Sequence, residues 1–381
     1  MLITQVGEFL NGAVKEVLGD EAVVQEDLTN IVDLGKAVSS LENWQNKFVK
    51  ALVNRIGKTI YVDRPYSGDF PSLYMDSWVY GSILGKYYTE LREADKNMSW
   101  ELADGVEYSQ DTFYGIPAGA KFFNKMVTHE VRQSLPDYQL NDSFSSASEL
   151  AKFINMVQTH IQNTLTLQNS VLAHRTVTRM MAEVLANGQT LQKVNLLSEY
   201  NTTAGTSLTA VEALKTADFI RYAVRRIKQV SKYITKYSTR WNVGEKQRFT
   251  PIDRQRIFYL DDFATAMGIY LYNAPNQYSS DFLQLPKGDT VAAWQGTGTD
   301  YSFASLSSIN LTADGLASPV SQSGIVAILA DEYAMGICNE VARVNTHHNA
   351  AADFTNYWYK RDARYFNDPD ENVVVFYLAS A

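Results

Sequence analysis

Residues 145–187 read SSASELAKFINMVQTHIQNTLTLQNSVLAHRTVTRMMAEVLAN, and they decide the fold because they predict one helix much longer than average. Ser146 and Glu149 form a capping-box pattern at the start, and Gly188 supplies a left-handed stop at the end. In between, apolar residues recur at helical spacing: Leu150, Ile154, Val157, Ile161, Leu165, Leu172, Met180 and Val184. At ~1.5 Å per residue the helix is about 60 Å long, so it needs support along its length. We therefore predict a structural spine.

Composition narrows the class of protein. Of the 381 residues, 45% are hydrophobic and 20% are charged, which excludes wholesale disorder and favours two or three domains. The net charge of −8 argues against a surface that binds nucleic acid everywhere, but is compatible with a container for a polyanion. The single cysteine, Cys338, excludes an internal disulfide framework. Because the sequence lacks a signal-peptide pattern and a membrane-spanning apolar run, we expect a soluble intracellular protein with no membrane association.

The sequence before the spine divides into two segments with different residue patterns. Residues 1–58 carry short amphipathic helical patterns separated by glycines, which predict an arm that lies across another surface. Residues 59–128 mix aromatic residues with turn-forming ones, starting with a predicted strand at 59–62. This second stretch predicts an extended excursion of two or three strands that leans on a partner.

The chain after the spine alternates between helices and strands. The patterns predict helices at 207–237 and 261–272, a loop-rich stretch at 286–323, and strands at 256–260, 305–309, 324–329, 355–360 and 372–378.

No motif in the sequence points firmly to catalysis, a cofactor or a metal. His347 and His348 are adjacent, so their side chains diverge, and no Cys or carboxylate follows at metal-ligand spacing. Asp261 and Asp262 leave open a pair of glycosidase carboxylates, although acids at this position also favour the first turn of a helix. We expect a protein that is not an enzyme.

One basic stretch stands out. Five cations share one face of the helix predicted after the spine, with tyrosines nearby: Arg221, Arg225, Lys228, Lys232 and Lys236. Basic side chains interleaved with aromatic ones suit phosphates and bases. The same face would also suit solvent or a neighbouring subunit, and we favour that interpretation.

Three stretches carry a resemblance to a known family. They are residues 48–57 (FVKALVNRIG), the passage from Thr250-Pro251-Ile252-Asp253 to Phe282-Leu283, and the closing segment from Tyr357-Trp358-Tyr359 to Val373-Val374-Val375-Phe376. Together with the order of elements, they resemble tailed-phage major capsid proteins with the HK97-like fold, and within these the short-tailed Phi29-like branch.

The resemblance implies an α+β HK97-like phage capsid fold. Its parts would be an N-terminal arm at 1–58, an extended β-hairpin E-loop at 59–128, a P-domain at 129–195 with the spine helix 145–187, an α/β A-domain at 196–335, and closing strands at 336–381 that return to the P-domain. We expect no C-terminal immunoglobulin-like domain of the kind Phi29-like proteins carry, and no pattern singles out a Lys–Asn pair for crosslinking.

The resemblance also implies a function. The chain would be a major capsid protein that forms pentamers and hexamers of an icosahedral shell around double-stranded DNA. Scaffolding protein and portal would be its partners, and assembly would take place in the host bacterial cytoplasm. In the E-loop we expect five residues to contact an adjacent subunit: Tyr61, Arg64, Tyr66, Trp78 and Tyr80. An encapsulin-like compartment of the same fold and a carbohydrate-active enzyme remain alternatives.

Overall fold

The computed structural model describes most of the chain after residue 68. The described residues are 11, 14, 69–75, 83–90, 94, 96–108, 111, 113, 115–136, 147–272, 288–295, 300–312 and 319–380. Of residues 147–160 only the helical backbone is described. The predicted interface residues Tyr61, Arg64, Tyr66, Trp78 and Tyr80, the strand at 59–62 and the Ser146 cap lie outside the described residues, as does most of the predicted arm.

The described elements are six helices and thirteen strands. The helices are α1 (Ala147–Asn187), α2 (Leu196–Ala204), α3 (Ala210–Ala213), α4 (Ala217–Tyr233), α5 (Asp261–Tyr272) and α6 (Phe303–Leu306). The first seven strands are β1 (Tyr74–Met75), β2 (Leu84–Thr89), β3 (Ala118–Phe123), β4 (Met126–Pro136), β5 (Lys193–Asn195), β6 (Gln255–Leu260) and β7 (Gly288–Val291). The last six are β8 (Ile309–Leu311), β9 (Val320–Gln322), β10 (Ile325–Asp331), β11 (Met335–Asn349), β12 (Phe354–Asn367) and β13 (Val373–Tyr377).

The predicted spine is confirmed as α1, an unbroken helix of 41 residues. Its second half is enclosed by other elements, since Leu172, Val177, Met180, Met181 and Val184 are all buried. These side chains join a core that also receives residues from both large sheets. The helix therefore lies between the two sheets and holds them together.

A five-stranded sheet in the order β5-β13-β10-β6-β7 forms the centre of the fold. Every residue of β10 is buried, because the sheet is covered on both faces. Along β6 the side chains alternate: Phe258 and Leu260 pack toward α1, whereas Ile257 and Tyr259 pack toward α2, α4 and α5. The result is a three-layer arrangement with two separate cores.

A second sheet, in the order β1-β11-β12-β4, packs against the other side of α1. The strands β4, β11 and β12 are long and antiparallel, and β1 is a short parallel addition at the edge. The two closing strands separate here, since β12 belongs to this sheet and β13 to the five-stranded one. The turn between β12 and β13 thus links the two sheets, and residues 368–371 of this turn are fixed to the body of the subunit by several hydrogen bonds.

The predicted class, α+β, is confirmed, and the elements at 256–260, 261–272 and 324–329 are found where the patterns place them. Two predictions after the spine were wrong in detail. The helix predicted at 207–237 is divided into α3 and α4, because a capping box between Thr209 and Glu212 starts a separate short helix. The strand predicted at 305–309 is the helix α6, capped by the Ser302 side chain, and strand β8 begins only at Ile309.

None of the helices in the described part of the chain has both the length and the hydropathy of a membrane span.

Candidate assembly surfaces

Within the described part of the chain, the most exposed apolar surface belongs to a hairpin and the loop that connects its strands. Strands β2 and β3 pair antiparallel from Leu84↔Phe123 to Thr89↔Ala118, and the Glu90 N–H donates to the Pro117 carbonyl just beyond them. Among their described residues, the hairpin and the loop that connects its strands expose nine large apolar side chains: Ile83, Tyr87, Trp100, Leu102, Val106, Tyr108, Phe113, Ile116 and Phe122. Trp100 is 96% exposed and Phe113 is 92% exposed.

So many exposed aromatic and aliphatic side chains are unusual in one segment of a soluble subunit. Single exposed apolar residues are ordinary, but a group of them marks a surface that another protein covers. The loop carries seven acids, which keep it compatible with water before that contact forms: Glu90, Glu93, Asp95, Glu101, Asp104, Glu107 and Asp111. Its composition therefore suits a protein–protein contact.

The base of the hairpin is attached to the body by charged side chains. We call this cluster the hairpin joint; its members are Lys86, Lys121, Arg248, Asp368, Asp370 and Glu371. The Lys86 Nζ donates to Asp368 Oδ2 and to Glu371 Oε1, at 2.7 Å each. The Lys121 Nζ donates to Asp368 Oδ1 at 2.7 Å and also contacts Asp370. Both oxygens of a carboxylate that is only 2% exposed are thus occupied by lysines from two strands.

The charges of the joint shift the pKa values of its members in opposite directions. Burial alone would raise the pKa of Asp368, but Lys86 and Lys121 outweigh burial and hold it below its ordinary value. For Glu371 burial wins, and its pKa is raised despite Lys86 and Arg248. Burial alone would lower the pKa of Lys121, but Asp368 and Asp370 raise it. The joint is therefore a buried ion-pair network centred on an ionised Asp368.

Substituting Asp368→Asn should destabilise the subunit at neutral pH by on the order of 3 kcal/mol, because two partly buried lysines lose their shared counter-charge. Since the pKa of Asp368 is lowered on folding, its contribution is present above the unfolded value of about 3.9 and is lost as the pH falls through the folded value. Urea unfolding from pH 7 to pH 3 should therefore show the variant and the parent converging in acid.

The matched control for that substitution is Glu101→Gln. Glu101 pairs with Lys96, but both side chains are at least half exposed. Because exposed ion pairs contribute about 0–1 kcal/mol, this change should barely alter the free energy of unfolding. An equal effect of the two substitutions would contradict the role assigned to burial.

The predicted basic face is partly neutralised by its neighbours. Arg221 pairs with Asp218 at 3.1 Å, Arg225 lies over the Tyr222 ring at 5.5 Å, and Lys232 is exposed near the end of α4. Lys228 is half-buried, and Lys236 follows the end of the helix at Tyr233.

The sequence did not single out Arg226, one position from the basic face. Its guanidinium binds both carboxylate oxygens of Glu199, at 2.8 and 3.1 Å, and this pairing raises the pKa of Arg226. In the sequence, Arg226 was indicated only by its position next to the basic residues of α4. Glu199 lies on α2, which the sequence patterns did not predict, so the pair fastens α2 to α4 in a way that spacing alone does not reveal.

The structure also places the residues that were weighed as chemical sites. Asp261 and Asp262 lie in the first turn of α5, Cys338 is buried in β11, and the neighbouring His347 and His348 differ in exposure along the same strand. His174, on α1, is 2.8 Å from Asp69 through Nε2. Within the described residues, no three His, Cys, Asp or Glu side chains lie close enough together to hold a metal ion.

Comparison with known proteins gives one match across nearly the whole chain. The model of the family described as "Phi29-like phage major capsid protein" matches residues 10–377. No curated protein sequence matches the chain.

Among solved structures, the chain is similar to one from the capsid structure of Staphylococcus phage Andhra. The TM-score is 0.51 at 8% identity, over 84% of this chain and 86% of that one. It is also similar to a chain from the structure of the head fiber and inner core protein of bacteriophage P68, with a TM-score of 0.52 at 10% identity over 83% and 86% of the two chains.

These similarities confirm the predicted HK97-like phage capsid fold. The family match extends from the arm to the last strand. A spine between two sheets and a hairpin loop whose apolar side chains are exposed among the described residues suit a subunit of a shell. The chain belongs to the Phi29-like phage major capsid protein family, and it is a structural shell protein of the phage capsid.

Proposed function

We propose that many copies of the chain form the icosahedral head shell that encloses double-stranded phage DNA, built from pentamers and hexamers. The observation that carries this proposal is the apolar surface of the β2–β3 hairpin and its loop, which has no cover within the described part of the subunit. A family of capsid proteins supplies the obvious cover, a second copy of the same chain. Shell building also implies a role without enzymatic activity.

The proposal assigns a role to each segment of the chain. Residues 1–58 are the N-terminal arm and residues 59–128 are the E-loop, which contacts an adjacent subunit through Tyr61, Arg64, Tyr66, Trp78 and Tyr80 as well as its exposed tip. Residues 129–195 form the P-domain around α1, and residues 196–335 form the A-domain. Residues 336–381 close the P-domain and, through β13, complete the central sheet.

The packaged DNA would meet the subunit without sequence specificity. The basic face of Arg221, Arg225, Lys228, Lys232 and Lys236 supports either a contact with that DNA or one with a neighbouring subunit. Because Asp218 already pairs with Arg221, the net positive charge of the face is moderate. Such a face suits weak, salt-dependent contacts with phosphates. Scaffolding protein and portal complete the proposed partners, and assembly takes place in the cytoplasm of the host bacterium.

The test is to image the purified protein and measure its mass by light scattering. We expect closed particles of uniform diameter from the protein expressed alone. If none form, we expect them from the protein co-expressed with a scaffolding protein. Particles from infected cells should contain nuclease-protected double-stranded DNA. Only monomers and dimers under both conditions would refute the proposal, and particles filled with a co-purifying enzyme would favour the encapsulin-like alternative.

A further inference from the structure

The hairpin joint has an arrangement that a simple surface ion pair does not need. Lys86 and Lys121 are direct cross-strand partners in the β2–β3 register, with their side chains on the same face of the hairpin. Like charges directly opposite each other destabilise a strand pair. The pair is therefore favourable only when the hairpin lies against acids, and those acids are Asp368, Asp370 and Glu371.

The acids themselves are held firmly on the body of the subunit. The Asp368 N–H donates to the Ala334 carbonyl at 2.6 Å, and the Val243 N–H donates to the Pro369 carbonyl at 2.9 Å. Asp370 lies so close to Gly244 that a Cβ there would be 2.0 Å from its carboxylate oxygen. The body thus presents a rigid set of carboxylates, and the hairpin brings the matching lysines.

Other contacts between the hairpin and the body lie on both sides of the two lysines along the strands. Nearest the connection to β4, the rings of Phe123 and Phe366 lie 5.3 Å apart. Beyond the two lysines, the Arg248 guanidinium lies 4.5 Å over the Tyr88 ring, and Lys246 pairs with Glu90 at 3.3 Å. One aromatic contact therefore sits at the point where the hairpin joins the body, and cations make most of the contacts farther out.

We propose that Lys86 and Lys121 are positioning residues that set the angle at which the hairpin leaves the body, and thereby where its loop meets the next copy of the chain. This inference rests on the proposed function, in which that loop contacts a neighbour. Contacts with the body continue to Glu90, just past the end of β2, so the part that the angle moves is the loop beyond this point. At ~20 Å from the strand end, a rotation of about 10° displaces an atom by roughly 3–4 Å, which exceeds the tolerance of a hydrogen bond.

Charge suits this task better than apolar packing does. The hydrophobic effect has no preferred direction, whereas a carboxylate that accepts from two ammonium groups orients both of them. Breaking one of these partly buried pairs also leaves its partner uncompensated, so intermediate orientations of the hairpin are unfavourable.

The test measures the angle directly on unassembled subunits. Spin labels are placed at Leu102→Cys in the loop and Val211→Cys on α3, both exposed positions, while the native Cys338 is buried. The parent should give a narrow distance distribution. In the Lys86→Gln/Lys121→Gln variant the distribution should be about twofold wider or more, because the carboxylates lose both ammonium partners. The single variant Lys121→Arg should keep the narrow distribution of the parent, because arginine retains the positive charge. Lys96→Gln, which removes an exposed pair, should also leave the distribution unchanged.

A salt titration guards against a variant that fails to fold. In the unsubstituted labelled protein, raising salt to about 1 M should widen the distribution, but less than the double substitution does, because partly buried pairs are screened less than exposed ones, while circular dichroism stays constant. A narrow distribution in both the double variant and high salt would overturn the proposal.

Shell diameter gives the second readout. The double variant should form shells of mixed diameter or aberrant shape, and Lys121→Arg shells should match the parent. A wide label distribution combined with uniform, parental shells would also overturn the proposal, since the angle would then not matter to assembly. If the parent itself forms no shells, the proposed function fails, but the labels still report whether the joint sets the angle.

Discussion

Replacing residues 91–116 with a short Gly-Ser linker is expected to abolish shell formation and to leave a folded subunit. The residues removed include Trp100, Phe113 and Ile116, which are exposed and bury nothing in the subunit's own cores. Strands β2 and β3, the joint and both sheets remain. The free energy of unfolding should therefore change by no more than about 0.5 kcal/mol, as for surface changes away from packed features. Assembly should be lost because its largest apolar contact is gone.

Sedimentation velocity and electron microscopy measure the assembly, and thermal unfolding measures the subunit. A suitable control is Tyr301→Ser, which removes an aromatic ring that is 79% exposed but lies outside the hairpin. That variant should still form shells. Normal shells from the shortened chain would refute the role assigned to the loop. The shortening must not extend back to Phe70, because Phe70 and Leu73 belong to the core of the subunit.

The spine could be predicted from the sequence because its signals are local. Apolar spacing and the Gly188 stop depend on neighbours along the chain, and α1 ends at Asn187 as they indicate. The left-handed conformation predicted for this stop was wrong, since Gly188 does not have a positive φ. The polar interruptions in its second half do not break it. Thr176 and Thr178 are buried there, but each hydroxyl donates to a carbonyl one turn back, at 2.8 and 2.7 Å. The helix satisfies these groups itself, so hydrophobic spacing alone underestimates its continuity.

The hairpin joint could not be predicted, because its members are far apart in the sequence. Lys86 and Asp368 are separated by 282 positions. Asn367, Asp368, Pro369 and Asp370 are residues typical of turns, but such residues predict a turn and not a partner. What brings the groups together is the separation of β12 and β13 into different sheets, which presents the turn to the hairpin. A register of strands across such distances leaves no periodic signal in the sequence.

Phe70 is a second residue that the sequence patterns passed over, since it follows a stretch predicted as turns. The structure buries it fully, with its ring edge-on to Phe258 at 5.1 Å and stacked with Trp294 at 6.5 Å. Residues before and after Phe70 in the chain make polar contacts: Asp69 contacts His174, and the Ser72 hydroxyl donates to Asp289. Its φ of 58° lies in the left-handed region, which is unfavourable for a large side chain. Packing of the ring therefore outweighs the strain of its backbone.

Phe70→Ala is expected to destabilise the subunit by about 3–5 kcal/mol, because a buried ring between the sheet and α1 is replaced by a cavity. Alanine keeps the left-handed strain, whereas glycine does not. Phe70→Gly should therefore be less destabilising than Phe70→Ala by about 1 kcal/mol, although it removes one more carbon. Urea unfolding measures both. Phe113→Ala, at a ring that is 92% exposed, should leave the free energy of unfolding unchanged and weaken only assembly. If glycine proved the worse substitution, the positive φ would not be a significant source of strain at this position.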